Sequence, residues 1–283
     1  LNRIIRFLYF SNLIISAAAV ALGVETLWLL KLPLSEHLPQ LVFLGLATFG
    51  YYTLHDFYTK AGTSPEKGLY PRVVFWQGKA KFLILLLPVA AIAMAFVAFQ
   101  SFATYELIVL GMLSIFSFFY TFPLLPFRDL RRWKNHPISK ILVLAIVWTA
   151  ATTLLVSKNA LSAEFLPHMI SRFLFLLMIC IPFDARDAIF DRQRMQHTLL
   201  DWPGVANLQK LTILMPGLAM ISLLLGNVHL SPYFIAVYMA HFVFTGILCL
   251  YTLRHPLKFD LYWLIDSQMI IQALIVGLSV CIT

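Results

Sequence analysis

The sequence predicts an all-α fold: a polytopic membrane protein of nine transmembrane helices, forming a single domain over residues 1–283. Three observations predict it. Sixty per cent of the residues are apolar, only 12 % are charged and mean hydropathy is +0.83, whereas soluble domains average about 25 % charged residues. The apolar residues gather into runs of bilayer-spanning length. The connections between runs alternate between nearly uncharged and strongly basic, as the two sides of a membrane require.

The runs are taken in order. Residues 7–30 form the first, interrupted only by Asn12, Glu25 and a few small polar groups. Residues 38–58 form the second and close on Tyr51, Tyr52, His55, Asp56 and Tyr58. The third (80–100) and fourth (105–122) are almost wholly apolar, and the fifth (138–156) opens on Lys140. The sixth (165–183) leads into an acidic string. The seventh (211–226) is the shortest, and the eighth (232–253) and ninth (261–281) complete the set. The first run starts close to the beginning of the sequence and is long enough to span, so it reads as a helix rather than a cleaved leader.

Connections 31–37, 101–104, 157–164 and 227–231 are short and nearly uncharged, while 59–79, 123–137, 184–210 and 254–260 are basic. With the N-terminus placed on the basic side, only Lys31, Lys158 and Arg172 of the 21 Lys+Arg fall on the other. The basic side is then cytoplasmic, and an odd number of spans puts the C-terminus outside. The net charge of +8 is topological and suits anionic lipid, so nucleic acid is excluded as a partner. Cys180, Cys249 and Cys281 all lie in apolar runs, with the spacing of neither a metal site nor a disulfide framework.

Chemistry concentrates after the sixth run. Asp184, Asp187 and Asp191 stand at i, i+3 and i+7, which on a helix places three carboxylates within an arc of about 60°. Like charges so close repel and need a cationic partner. That partner is either a hard divalent ion such as Mg²⁺, which bridges carboxylates to phosphates, or the nearby Arg186, Arg192 and Arg194 on a solvated helical extension. The corresponding place after the second run holds a lone carboxylate, Asp56, behind His55, among tyrosines that suit an interfacial belt.

Polar groups inside spans are costly. Asp266 is expected either to join a cavity or to cap its helix, followed by Gln268 and Gln272. Asn12 is expected to make a helix–helix hydrogen bond, and Glu25 to reach water at the outer interface. Arg128, Arg131, Arg132 and Lys134 suit topology. Lys140 and Arg72, with Arg128, are the candidates for phosphate oxygens.

Over essentially its full length the chain resembles the UbiA superfamily of intramembrane prenyltransferases. The residues that carry the resemblance are Asp184, Asp187 and Asp191 with Thr198 downstream, and Tyr120-Thr121-Phe122-Pro123-Leu124 with Arg128, Lys140 and Trp148, which look like a bacterial branch. The family's first motif, Asn-Asp-x-x-Asp-x-x-x-Asp, is met by His55, Asp56, Thr59 and Thr63, so only one acid remains.

The resemblance implies a nine-helix bundle in a bacterial inner membrane. It implies a Mg²⁺-dependent transfer of an isoprenoid group from its diphosphate to a lipophilic or aromatic acceptor. Asp184, Asp187 and Asp56 would be catalytic. Asp184, Asp187, Asp191 and Asp56 would hold the metal, and Lys140, Arg72 and Arg128 the diphosphate. Two alternatives stay open: a terpene cyclase-like enzyme of the same fold, and a non-catalytic protein binding lipid or quinone. A transporter would need a pair of broken helices in the two halves, and no such pair stands out.

Overall fold

The computed structural model describes residues 3–60, 71–121, 137–191, 204–226, 232–256, 258 and 261–282, without side chains at some helix ends. Among the described residues the chain is helical and has no strand. The helices are α1 (Arg3–Phe10), α2 (Leu13–Leu29), α3 (Leu38–Lys60), α4 (Pro71–Ser101), α5 (Thr104–Thr121), α6 (Pro137–Thr153), α7 (Leu166–Asp191), α8 (Gly204–Leu225), α9 (Pro232–Arg254) and α10 (Tyr262–Ile282). Short 3-10 turns at Leu34–His37 and Lys158–Leu161 carry two of the connections.

Five helices are long and apolar enough to cross a membrane, and a sixth crossing is possible if α1 and α2 count as one span. The apolar parts of α5 and α6, Thr104–Phe118 and Lys140–Thr153, are shorter. Large apolar side chains lie bare on the outside, including Leu85, Ile92 and Phe99 (87 % exposed) on α4. Patches this extensive in water would drive association; in a bilayer they meet lipid tails, and the chain is a membrane protein on this surface.

The expected first helix, 7–30, is corrected. It is two helices, α1 and α2, meeting at 68°. The break falls at Ser11-Asn12, where Asn12 adopts φ 66° and ψ 12°. Asparagine is among the few residues that enter this left-handed region readily. Its side chain does not cap α2, because it is engaged elsewhere in the bundle.

Packing follows a ring. α2 lies most closely against α10 and α3; α3 then packs on α4, α6 on α7, α7 on α8 and α9, and α9 on α10. α5 joins the ring chiefly through α6. One core cluster unites α1, α2 and α6–α10 around Phe175, Met178, Ile181, Phe242 and Ile265. A separate one, built on Phe43, Val109 and Leu155, ties α3, α4, α5 and α6 together.

Between α2 and α10 the Trp28 ring packs so closely on Gly277 that a Cβ built there would sit 2.5 Å from it. Gly277→Ala is therefore expected to destabilise by about 1–3 kcal/mol through overpacking. Thermal unfolding in detergent checks it, with Gly111→Ala, where a Cβ meets nothing within 4 Å, as the control that stays near wild type.

Candidate functional site

One end of the bundle collects the start of α2, the end of α3, the start of α6, the end of α7 and the start of α10. Each delivers a polar group: Asn12, Asp56, Lys140, Asp184 and Asp266. The three carboxylates are 2 %, 4 % and 6 % exposed in chain order. Lys140 Nζ meets Asp184 Oδ1 at 2.6 Å. Asn12 Nδ2 donates to Asp56 Oδ2 at 3.2 Å and to Thr53 Oγ1 at 3.5 Å. Pro182, two residues before Asp184, removes one backbone donor from α7, and its carbonyl accepts from Tyr262.

Arg186 is the second cation here. It is buried, donates to Tyr9 Oη at 3.5 Å, and lies over the rings of Tyr262 (4.6 Å) and Phe183 (5.1 Å). Aromatic faces stabilise a guanidinium removed from water. Cys180 is within electrostatic reach of Asp184, Lys140 and Asp266, so these groups share one polar centre. Among the described residues that centre gathers Asp56, Asp184 and Asp266 against Lys140 and Arg186.

Beside this centre an apolar cavity runs between α3, α5 and α6, with Tyr51, Tyr52 and Trp148 along it and Phe43 and Leu155 at its far end. Its volume is about 220 Å³, small beside the roughly 300–1,000 Å³ of drug-sized ligand sites. Trp148 Nε1 donates to Tyr52 Oη at 3.1 Å, pinning α3 to α6 across the cavity. Val143 and Leu144 line it one turn beyond Lys140 on α6.

Comparison with protein-family models, curated proteins and solved structures finds no match. The chemistry of the site is therefore read from its own residues.

Of the residues singled out in the sequence, Asp56, Lys140, Asp184 and Asp266 are buried or half-buried at the same end of the bundle. Asp266 is drawn into the interior rather than out to the interface. Asn12 makes the expected helix–helix hydrogen bond, from α2 to α3. His55 stacks on Tyr51. Asp187 and Asp191 lie on α7, and Arg72 and Thr59 on α4 and α3, but their side chains fall outside the described residues, as Arg128 and Thr63 do entirely.

Mg²⁺ was expected here. No three His, Cys, Asp or Glu side chains form a ready cage among the described residues. The ion usually takes only one or two carboxylates, with waters and substrate phosphates completing its shell. Asp184 is a carboxylate of that kind, and its Oδ1 is held by Lys140 at 2.6 Å. Asn12→Ala, which removes one donor from buried Asp56, is expected to cost about 1–3 kcal/mol, measured as thermal stability in detergent.

Glu25 is the clearest correction. It does not reach water. It is 1 % exposed and lies 3.3 Å from Arg172. Gln272 Nε2 donates to both its oxygens (2.9 and 3.2 Å), and Tyr238 Oη donates to Oε1 at 3.1 Å. Arg172 also donates to Thr26 Oγ1 and to the Thr152 carbonyl. This second polar cluster lies roughly 20 Å along α2 from Asn12, at 1.5 Å per residue. Sequence reading missed it, although opposite charges within two apolar runs, on the side poor in basic residues, were a usable signal.

Proposed function

We propose that the chain is an intramembrane prenyltransferase of the UbiA type, with nine crossings and its polar centre on the cytoplasmic side of a bacterial inner membrane. The observation that carries the reading is the Lys140–Asp184 pair, with Lys140 one helical turn before Val143 and Leu144 in the wall of an apolar cavity. A polar head beside a long apolar slot suits an amphiphile with a charged end and a hydrocarbon tail. A diphosphate brought beside the carboxylates of Asp56, Asp184 and Asp266 would come with a divalent cation that bridges the two sets of oxygens.

Asp184, with Asp187 and Asp191 on the same helix and Asp56 across from it, would hold Mg²⁺. Bound there, the ion would offset diphosphate charge and improve the leaving group. Lys140 exchanges its carboxylate partner for a diphosphate oxygen, and Arg72 and Arg128 are the further candidates for that role. In the reaction the allylic C–O bond breaks and the diphosphate leaves. The acceptor bonds to the freed allylic carbon, and its displaced proton passes to a base or to water. Tyr52 and Trp148, lining the cavity, offer ring faces to the developing positive charge.

Membranes incubated with labelled farnesyl or geranylgeranyl diphosphate test this directly. Retention of label and diphosphate release are both expected to require Mg²⁺ and to be lost in EDTA. Absence of any Mg²⁺-sensitive binding sinks the reading. One observation favours a second reading, a non-catalytic lipid- or quinone-binding protein: Lys140 already satisfies Asp184 within the protein. Binding of label without diphosphate release in the presence of a panel of aromatic and quinone-type acceptors selects that alternative.

A further inference from the structure

We propose that α2, α7, α9 and α10 enclose a proton path: a line of buried polar side chains, joined by internal water, that carries protons between the far end of the bundle and the polar centre. This activity is separate from the prenyltransferase reading and does not rest on it.

The line begins where α7 begins. His168 is buried, stacks on Phe165 and stands four residues after the exposed Glu164. Ser171 and Arg172 follow at i+3 and i+4, on the same face of α7. Arg172 leads to Glu25, and Glu25 accepts from Tyr238 on α9 and Gln272 on α10. One turn along α9 from Tyr238 is His241, 6 % exposed, with its ring on Phe175 and against the Gln268 backbone. A further turn brings Thr245, whose Oγ1 donates to Gln268 Oε1 at 3.3 Å. Asp266 of the polar centre lies only about 3 Å from Gln268 in rise along α10. From His168 to Asp184, α7 climbs about 24 Å, most of the roughly 30 Å of a bilayer's hydrocarbon.

A buried polar line could simply glue helices together, and the unpartnered atoms argue against that. Polar side chains acting as glue satisfy one another across the helices. Here His168 Nε2, Ser171 Oγ, Gln272 Oε1 and His241 Nε2 are buried with no hydrogen-bond partner in the protein. Leaving such atoms bare is costly, and polar groups within spans are expensive already. Buried atoms of this kind are met by internal waters, each held by about two to four polar partners. Held singly, these waters do not solvate a charge as bulk water does, but they pass protons along. His241 takes one proton on Nε2 from a water on one side and gives one to a water on the other, returning to neutral imidazole. Charge and atoms balance over each passage. A metal cation has no such route, because Glu25, the carboxylate midway, is already occupied by Arg172, Gln272 and Tyr238.

Purified protein is reconstituted into liposomes holding a pH-sensitive dye, and an inside-negative potential is imposed with K⁺ and valinomycin. The lumen is expected to acidify several-fold faster than in protein-free vesicles, with no uptake of labelled Na⁺. His241→Phe keeps a ring of similar volume and removes the unpartnered nitrogen. It is expected to abolish the flux while leaving thermal stability in detergent unchanged or higher, where a merely structural histidine would lose stability. Ser171→Ala, the milder variant, is expected to slow it. Acidification no faster than in protein-free vesicles overturns the proposal. So does wild-type flux in either folded variant, or Na⁺ uptake matching that of protons.

Discussion

Arg172→Met is expected to cost about 3–5 kcal/mol, the loss associated with stripping one partner from a buried ion pair. The variant should fail to elute as a folded, monodisperse species in detergent. Glu25 and Arg172 side chains are 2 % and 3 % exposed, so water cannot take over when the guanidinium is gone. The damage is distributed. Arg172 on α7 holds Glu25 and Thr26 on α2 and Thr152 on α6, while Glu25 accepts from Tyr238 on α9 and Gln272 on α10. Five helices thus lose a common tie. Glu25→Gln combined with Arg172→Met removes both charges and is expected to regain most of the loss, since the isolated carboxylate is what the interior cannot accept. Detergent stability and elution profile read both variants. A single Arg172→Met as stable as wild type would show that the pair does not tie the bundle.

The second large effect is on binding. Asp184→Asn is expected to weaken Mg²⁺-dependent isoprenoid diphosphate binding by at least about 100-fold, equivalent to about 2.7 kcal/mol at 1.36 kcal/mol per decade. The amide keeps the shape of the carboxylate, so the fold is preserved while the hard anionic oxygen is lost. It also removes the carboxylate that faces Lys140 at 2.6 Å, and that ammonium can then draw phosphate on its own. A residual, Mg²⁺-independent binding that disappears in Asp184→Asn/Lys140→Met would identify that remnant. Measuring KM and kcat separately in Asp184→Asn adds a control, since a purely structural role would not abolish the metal requirement. Unchanged Mg²⁺ dependence in Asp184→Asn overturns the assignment of this carboxylate.

The apolar runs were legible because the bilayer imposes one strong rule, that the backbone satisfies itself while the side chains are apolar. The segments 38–58 and 232–253 lie within α3 and α9. The break inside 7–30 was not legible: Ser11-Asn12 carries no Gly or Pro, and the turn is enforced by what Asn12 binds, 44 positions away at Asp56. Asp184 was legible from local acidic spacing, and Lys140 from its place at the start of a span. Their contact was not, because 44 residues and a whole connection separate them. Glu25 was misread for the same reason. Distance from a helix end suggests water, and only the fold brings Arg172 from 147 positions away.

The bend between α1 and α2 has a consequence for how the protein would have to be assayed. α1 turns across the polar end of the bundle. Tyr9 and Phe10 are buried there, Phe7 and Phe10 pack on Phe75 of α4, and Tyr9 reaches Arg186. With α1 lying there, an amphiphilic substrate would have to arrive sideways, from within the leaflet. Its effective concentration is then a mole fraction in the two-dimensional lipid phase, not molarity in buffer. Adding detergent at constant bulk ligand would slow the reaction by surface dilution, and adding inert lipid would do the same.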